Sequence, residues 1–191
     1  MGQSGPPPHR HSIRLPGYDY SQEGAYFVTI VTHNRRCLFG RVRNGEMEMN
    51  EVGKMLEKVW MEMPEHFDGV YVDMFVVMPN HIHGIIEIES VNRILGVEAR
   101  HAVPLPRHID NFEAFGKPVH GSIPTIIRSF KSAATKRYHE MTNTQNNHLW
   151  QRNYYEHIIR NEQDMLAITD YIISNPLNWE KDEENQIQIA V

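Results

Sequence analysis

Apolar residues recur along this chain in two rhythms, and the switches between them set out its elements. Ala25-Tyr26-Phe27-Val28-Thr29-Ile30-Val31-Thr32 is an unbroken β-branched and aromatic run, which predicts a first strand. Met47 and Met49 flank Glu48 in the alternation of a short edge strand. Val52, Met55, Leu56, Val59, Trp60 and Met63 then repeat at helical spacing, with Asn50 placed to cap the start and Pro64 to end it. From Val70 an apolar stretch leads to Met78-Pro79-Asn80, and a second runs on to Glu89; these predict two buried strands joined by a turn. Ser122 is placed to cap a second helix whose buried side carries Ile123, Ile126, Ile127, Phe130 and Ala134. Leu149 to Arg160 predicts another strand. A last helix begins at Asn161, carries its stripe on Met165, Ile168 and Ile172, and closes at Pro176.

Between these elements the pattern fails in three places. Residues 1–12 are polar and Pro-rich and read as a disordered lead-in, residues 91–120 as a loop insertion, and residues 180–191 as an acidic tail. The 191 residues suit one domain, taken as 13–179, with a sizeable core. A single cysteine, Cys37, excludes an internal disulfide and a cysteine-rich zinc module and fits a reducing compartment. No apolar run reaches the ~18 residues of a membrane span, and the start lacks a signal-peptide core, so the expected location is the cytoplasm. The net charge of −5 is unevenly spread: residues 121–160 carry +4, whereas 51–98 and 161–191 carry −6 each. A basic block on an acidic body is compatible with local binding of a phosphate backbone without demanding it.

Two constellations carry candidate chemistry. His81 and His83 open the second central strand two positions apart, so both imidazoles leave on one side, where they could grip a divalent cation. Two histidines in a strand need do no more than pack; buried between charge-free strands, however, they need partners. In the last helix, Tyr171 and Asn175 stand four residues apart and share a face. A phenol attacking phosphorus would form a covalent ester, and an amide oxygen is a hard metal ligand. Spacing alone does not choose Tyr171 over Tyr138, Tyr154 or Tyr155. Arg128, Lys131 and Lys136 lie on or near the exposed face of the second helix, as a solvated surface or a phosphate-contacting stripe.

Met78-Pro79-Asn80-His81-Ile82-His83-Gly84 resembles the His-apolar-His motif of single-strand tyrosine transposases, most nearly the REP-associated type. The likeness extends to Gly17-Tyr18-Asp19-Tyr20, Gly24 to Thr29, Ser129-Phe130-Lys131-Ser132, Trp150 to Arg160, and Asp170 to Pro176. It implies an α+β fold: a ferredoxin-like antiparallel sheet, helices packed on one face, and a C-terminal helix bearing the nucleophile. It also implies Tyr171 as the nucleophile, with His81, His83 and Asn175 holding Mg²⁺ or Mn²⁺. The reaction implied is cleavage and rejoining of single-stranded, hairpin-forming DNA through a 5′-phosphotyrosine, by a monomer or homodimer. Arg128, Lys131, Lys136, Trp150, Arg152 and Tyr154 are the expected DNA contacts. The alternatives are a catalytically silent nucleic-acid-binding module of the same fold and a barrel hydrolase built on His-x-His. The second needs ~250 residues and an eightfold strand–helix repeat that this chain lacks.

Overall fold

The computed structural model describes residues 18–72, 74–89, 119–145 and 147–185. The expected lead-in and residues 91–118 of the expected insertion lie outside them. Strand β1 (Gly24–Val31) occupies the middle of a five-stranded sheet. It is followed by a hairpin of β2 (Gly40–Arg43) and β3 (Glu46–Met49), then helix α1 (Glu51–Met61). Strands β4 (Val70–Tyr71), β5 (Phe75–Val77) and β6 (His81–Ile88) come next, then α2 (Ile123–Thr142), β7 (Tyr155–Ile159) and α3 (Glu162–Ser174). A 3₁₀ turn, Pro176–Lys181, is the last element of the described residues.

The sheet runs β4-β6-β1-β7, with β5 also paired to β6, and every pairing is antiparallel. Merging β4 and β5 into one interrupted strand gives the βαββαβ order of a ferredoxin-like α+β fold. Most of the sequence-based elements are present, with differences that have local causes. The apolar stretch from Val70 splits in two: β4 ends at Tyr71 and β5 begins at Phe75, each paired separately to β6. The strand expected over Leu149–Arg160 is only Tyr155–Ile159; Trp150 makes one isolated bridge to Thr32. Strand β2 was not anticipated. It pairs with β3 off the main sheet, and its two arginines and single valine give too weak an alternation to signal it.

Helix ends follow their capping chemistry in two cases of three. Asn50 accepts from the Gly53 amide and Asn161 from the Asp164 amide, each satisfying an otherwise unpaired N–H. Ser122 stands at the start of α2 but caps nothing with its side chain; its hydroxyl donates back to the Val119 carbonyl.

Alternation along β1 and β6 divides the sheet into two faces. Tyr26, Val28, Ile30, Ile82 and Ile86 face the main core, where they meet Leu56, Val59 and Trp60 of α1 and Ile126, Ile127 and Phe130 of α2. Phe27 and Ile85 face the other way, against Ile172 of α3. Gly84 belongs to the first face and is the point of closest approach. The Trp60 indole lies flat across it, stacked 5.8 Å from the Phe75 ring, in space that a Cβ would need. A Gly84→Ala variant is therefore expected to lose about 1–3 kcal/mol through overpacking. Urea denaturation would read this as a lower midpoint, and an unchanged midpoint would show that the helix layer yields there.

Candidate metal and nucleophile site

Met78-Pro79-Asn80 turns the chain between β5 and β6, closed by the Met78 amide donating to the His81 carbonyl at 2.8 Å. This places His81 and His83 at the start of a central strand, fully inside the protein. Their rings are 4.3 Å apart on the face opposite α1 and α2. Each ring is oriented by a neighbour on its Nδ1 side. His81 Nδ1 lies 2.8 Å from Asn80 Oδ1, and His83 Nδ1 lies 2.9 Å from Thr29 Oγ1, the residue directly opposite it in β1. An amide oxygen can only accept, so His81 carries its proton on Nδ1 and turns the Nε2 lone pair inward.

Helix α3 crosses this face. Tyr171 sets its hydroxyl 3.1 Å from His83 Nε2, its ring edge-on to Phe27 and to His83. Asn175, one turn on, is buried at the start of the 3₁₀ turn. Its Nδ2 donates to Asp182 Oδ2 at 2.9 Å, which leaves Oδ1 on the other side of the amide. His81 Nε2 and Asn175 Oδ1 are both buried without a hydrogen-bond partner among the described residues. Buried acceptors of this kind are costly unless something occupies them, and two imidazole nitrogens with an amide oxygen suit a divalent cation such as Mn²⁺. The residues present fit a metal.

The 3₁₀ turn continues the chain back over the site rather than away from it. Asp182, Glu183 and Glu184 line a cleft of about 420 Å³ together with Tyr171, Tyr155, Thr29 and His83. Burial drives the His81 imidazole down to about 3, only partly opposed by the neighbouring Asn175 amide. His83 is also held well below its ordinary value, by burial and by His81, against the pull of Asp182. The phenol of Tyr171 moves the other way, up to about 12, through burial and then the nearby Asp182 and Glu183 carboxylates. Neutral imidazoles and a protonated phenol are the resting state.

No family model matches the chain. A Haemophilus influenzae protein described only as uncharacterized is 41% identical over 175 residues, covering 92% of each chain. Another from the same organism, provisionally named a REP-associated tyrosine transposase, is 24% identical over 163 residues, 83% of this chain and 73% of that one. The solved structure of a REP-associated tyrosine transposase bound to a REP hairpin shares the fold, with a TM-score of 0.51 at 18% identity over 87% of this chain and 74% of that one. The chain is thus similar to a REP-associated tyrosine transposase in sequence and has the fold of another.

His81, His83, Tyr171 and Asn175 are gathered at one place from β6 and α3. Of the rival tyrosines, Tyr138 is buried on the core side of α2, Tyr154 packs against the main core, and Tyr155 lines the cleft near Phe27. The expected DNA contacts lie elsewhere and differ among themselves. Arg128, Lys136 and Arg152 are exposed. Lys131 is engaged internally: its ammonium donates to the Gln151 and Asn153 carbonyls at 3.0 and 2.9 Å and lies over the Tyr154 ring, and burial lowers it to about 8. Trp150 is buried between Phe39 and Phe130, so its ring has no face to offer a base without leaving the core. Both are packing residues in this arrangement. Sequence reasoning missed Thr29 and Asn80, the groups that orient the two imidazoles, and Asp182. Strand register could have pointed to Thr29, and adjacency to Asn80; nothing local marks Asp182.

A pH dependence follows. An unfolded histidine protonates near ~6.5, whereas the native site refuses the proton to a far lower pH. The unfolded chain therefore binds more protons between these values. Stability is complete above ~6.5 and declines as pH falls toward the folded value, by at most ~1.4 kcal/mol per pH unit for each ring. The urea midpoint of the metal-free protein should be lower at about pH 5 than at about pH 7, and His81→Gln should flatten this slope. A slope identical in the variant and the parent would contradict a neutral, buried His81.

Proposed function

We propose that this protein is a metal-dependent tyrosine transposase that cleaves and rejoins single-stranded DNA. The observation that carries the reading is the 3.1 Å contact between the Tyr171 hydroxyl and His83 Nε2, beside the inward-facing His81 Nε2 and Asn175 Oδ1. A nucleophile from α3 and a set of metal donors from β6 and α3 share one locus.

In this reading His81, His83 and Asn175 hold Mg²⁺ or Mn²⁺. Such a cation supplies Lewis acidity, polarising a non-bridging phosphate oxygen and favouring the phenolate. The protein's own groups do the rest. Thr29 and Asn80 fix the imidazole orientations, and Phe27 and His83 fix the ring of Tyr171 between them. Tyr171 Oη attacks phosphorus in line; the new O–P bond forms as the bond to the 3′ oxygen breaks. The products are a 5′-phosphotyrosine and a strand ending in a free 3′-hydroxyl. Because the phosphodiester energy is kept in the tyrosyl ester, a 3′-hydroxyl can reverse the step and join DNA without a nucleotide cofactor.

The substrate we propose is a single strand that forms a hairpin, on the analogy of the relative solved with one. Arg128, Lys136 and Arg152 are the exposed cations available for its phosphates. Among the described residues no helix is long and apolar enough to cross a membrane.

The reading is tested by incubating the protein with labelled hairpin-bearing single-stranded DNA and Mn²⁺, then separating the products under denaturing conditions. A covalent protein–DNA adduct is expected with the parent and a loss of about a thousandfold or more with Tyr171→Phe, the scale seen when a nucleophile is removed. An adduct that persists in the variant moves the nucleophile elsewhere. Binding with no adduct from either protein would favour a silent binding module.

A further inference from the structure

Asp182 is hard to explain as part of a solvated acidic tail. Its side chain is only 4% exposed, and its ion-pair neighbour among the described residues is the His81 ring, with Oδ2 3.9 Å from Nε2. Oδ2 accepts from Asn175 Nδ2, and Oδ1 accepts from the Glu184 amide at 2.7 Å. A buried carboxylate is expensive to hold without a compensating charge. One nitrogen each from His81 and His83 and one oxygen from Asp182 all lie within 4.8 Å of one another. Two acceptors more than nine-tenths buried and unpartnered among the described residues, His81 Nε2 and Asn175 Oδ1, are beside them.

The carboxylate is delivered by a built turn. Pro176–Lys181 winds as a 3₁₀ segment, and the Asp182 amide donates to the Trp179 carbonyl. Beyond it, Asn80 Nδ2 donates to the Glu184 carbonyl at 2.7 Å, and the Arg35 guanidinium pairs with the Glu184 carboxylate at 2.7 Å. The residue that orients His81 thus also ties down the segment that carries Asp182.

We propose that Asp182 is a further ligand of the divalent cation in the DNA-free protein, completing a set of two imidazole nitrogens, the Asn175 amide oxygen and one carboxylate oxygen. This rests on the cation site of the proposed function and extends it to a segment of the chain outside the helix that bears Tyr171. Asn175 serves both halves of the set. Its Nδ2 holds Asp182 in place, and this fixes the amide with Oδ1 toward the imidazoles.

The test is titration of the full chain with Mn²⁺ in the absence of DNA, followed by electron paramagnetic resonance. The parent is expected to bind one Mn²⁺ with nitrogen coupling from histidine. Asp182→Asn keeps the size of the side chain and removes the charge, and it should weaken binding by about tenfold or more while keeping the nitrogen coupling at saturating metal. Glu180→Gln removes a charge from the exposed side of the same turn, outside the cleft, and should change affinity by less than about threefold. Parental affinity in Asp182→Asn, or an equal loss in both variants, overturns the proposal. Nitrogen coupling in the parent reports the His81–His83 site by itself, so its absence would fail the underlying reading, whereas its presence with an unaffected Asp182→Asn fails Asp182 alone. Thermal melting without metal checks that the variants fold, and Asp182→Ser gives the same comparison should the asparagine variant not fold.

Discussion

The antiparallel pairing of β1 with β6 is the constraint on which the site depends. Its register sets Thr29 opposite His83 and Val31 opposite His81, and a slip of one residue would turn both imidazoles into the main core. The two faces of the pair hold that register from opposite sides. Trp60 closes on Gly84 from the α1 side, while Phe27 and Ile85 pack under Ile172 of α3 on the other. A strand buried on both faces has little freedom to shift. The imidazoles are therefore held by the packing of the whole sheet, and their orientation by single hydrogen bonds from Thr29 and Asn80.

Rigidity of this kind carries an energetic cost. Two imidazoles lie in surroundings that refuse their protons, and two acceptors lack partners among the described residues, each unmet group worth about 1–3 kcal/mol. The fold offsets this with its main core and leaves the polar cluster underneath α3. A cluster that is unfavourable alone and complementary to a cation is the arrangement expected of a binding site held ready by its scaffold. The acidic residues 182–184 deepen the contrast, since they raise the phenol of Tyr171 and draw positive charge toward the same place.

Much of this was legible in the sequence, because the strongest signals there come from burial. The runs at Ala25–Thr32 and around His81–Ile88 are apolar on both faces, and central strands are what such runs become. The periodic stripe from Val52 to Met63 reads as a helix for the same reason, and the His-x-His spacing gives the shared face of the imidazoles directly. What could not be read depends on contacts distant along the chain. Trp150 and Lys131 look like ligand-facing residues when only their chemistry is considered; the fold spends the first on the core and the second on pinning two carbonyls. Asp182 lies in a charge run that resembles any solvated terminus, and only the turn after Pro176 brings it under the sheet.

The central claim is that groups from β6 and α3 converge on one ion. Anomalous diffraction from crystals soaked in Mn²⁺ tests it most directly. A single strong peak within coordination distance of His81 Nε2, His83 Nε2 and Asn175 Oδ1 is the result predicted. A peak elsewhere on the protein, with the two imidazoles unligated in soaked crystals, would contradict it.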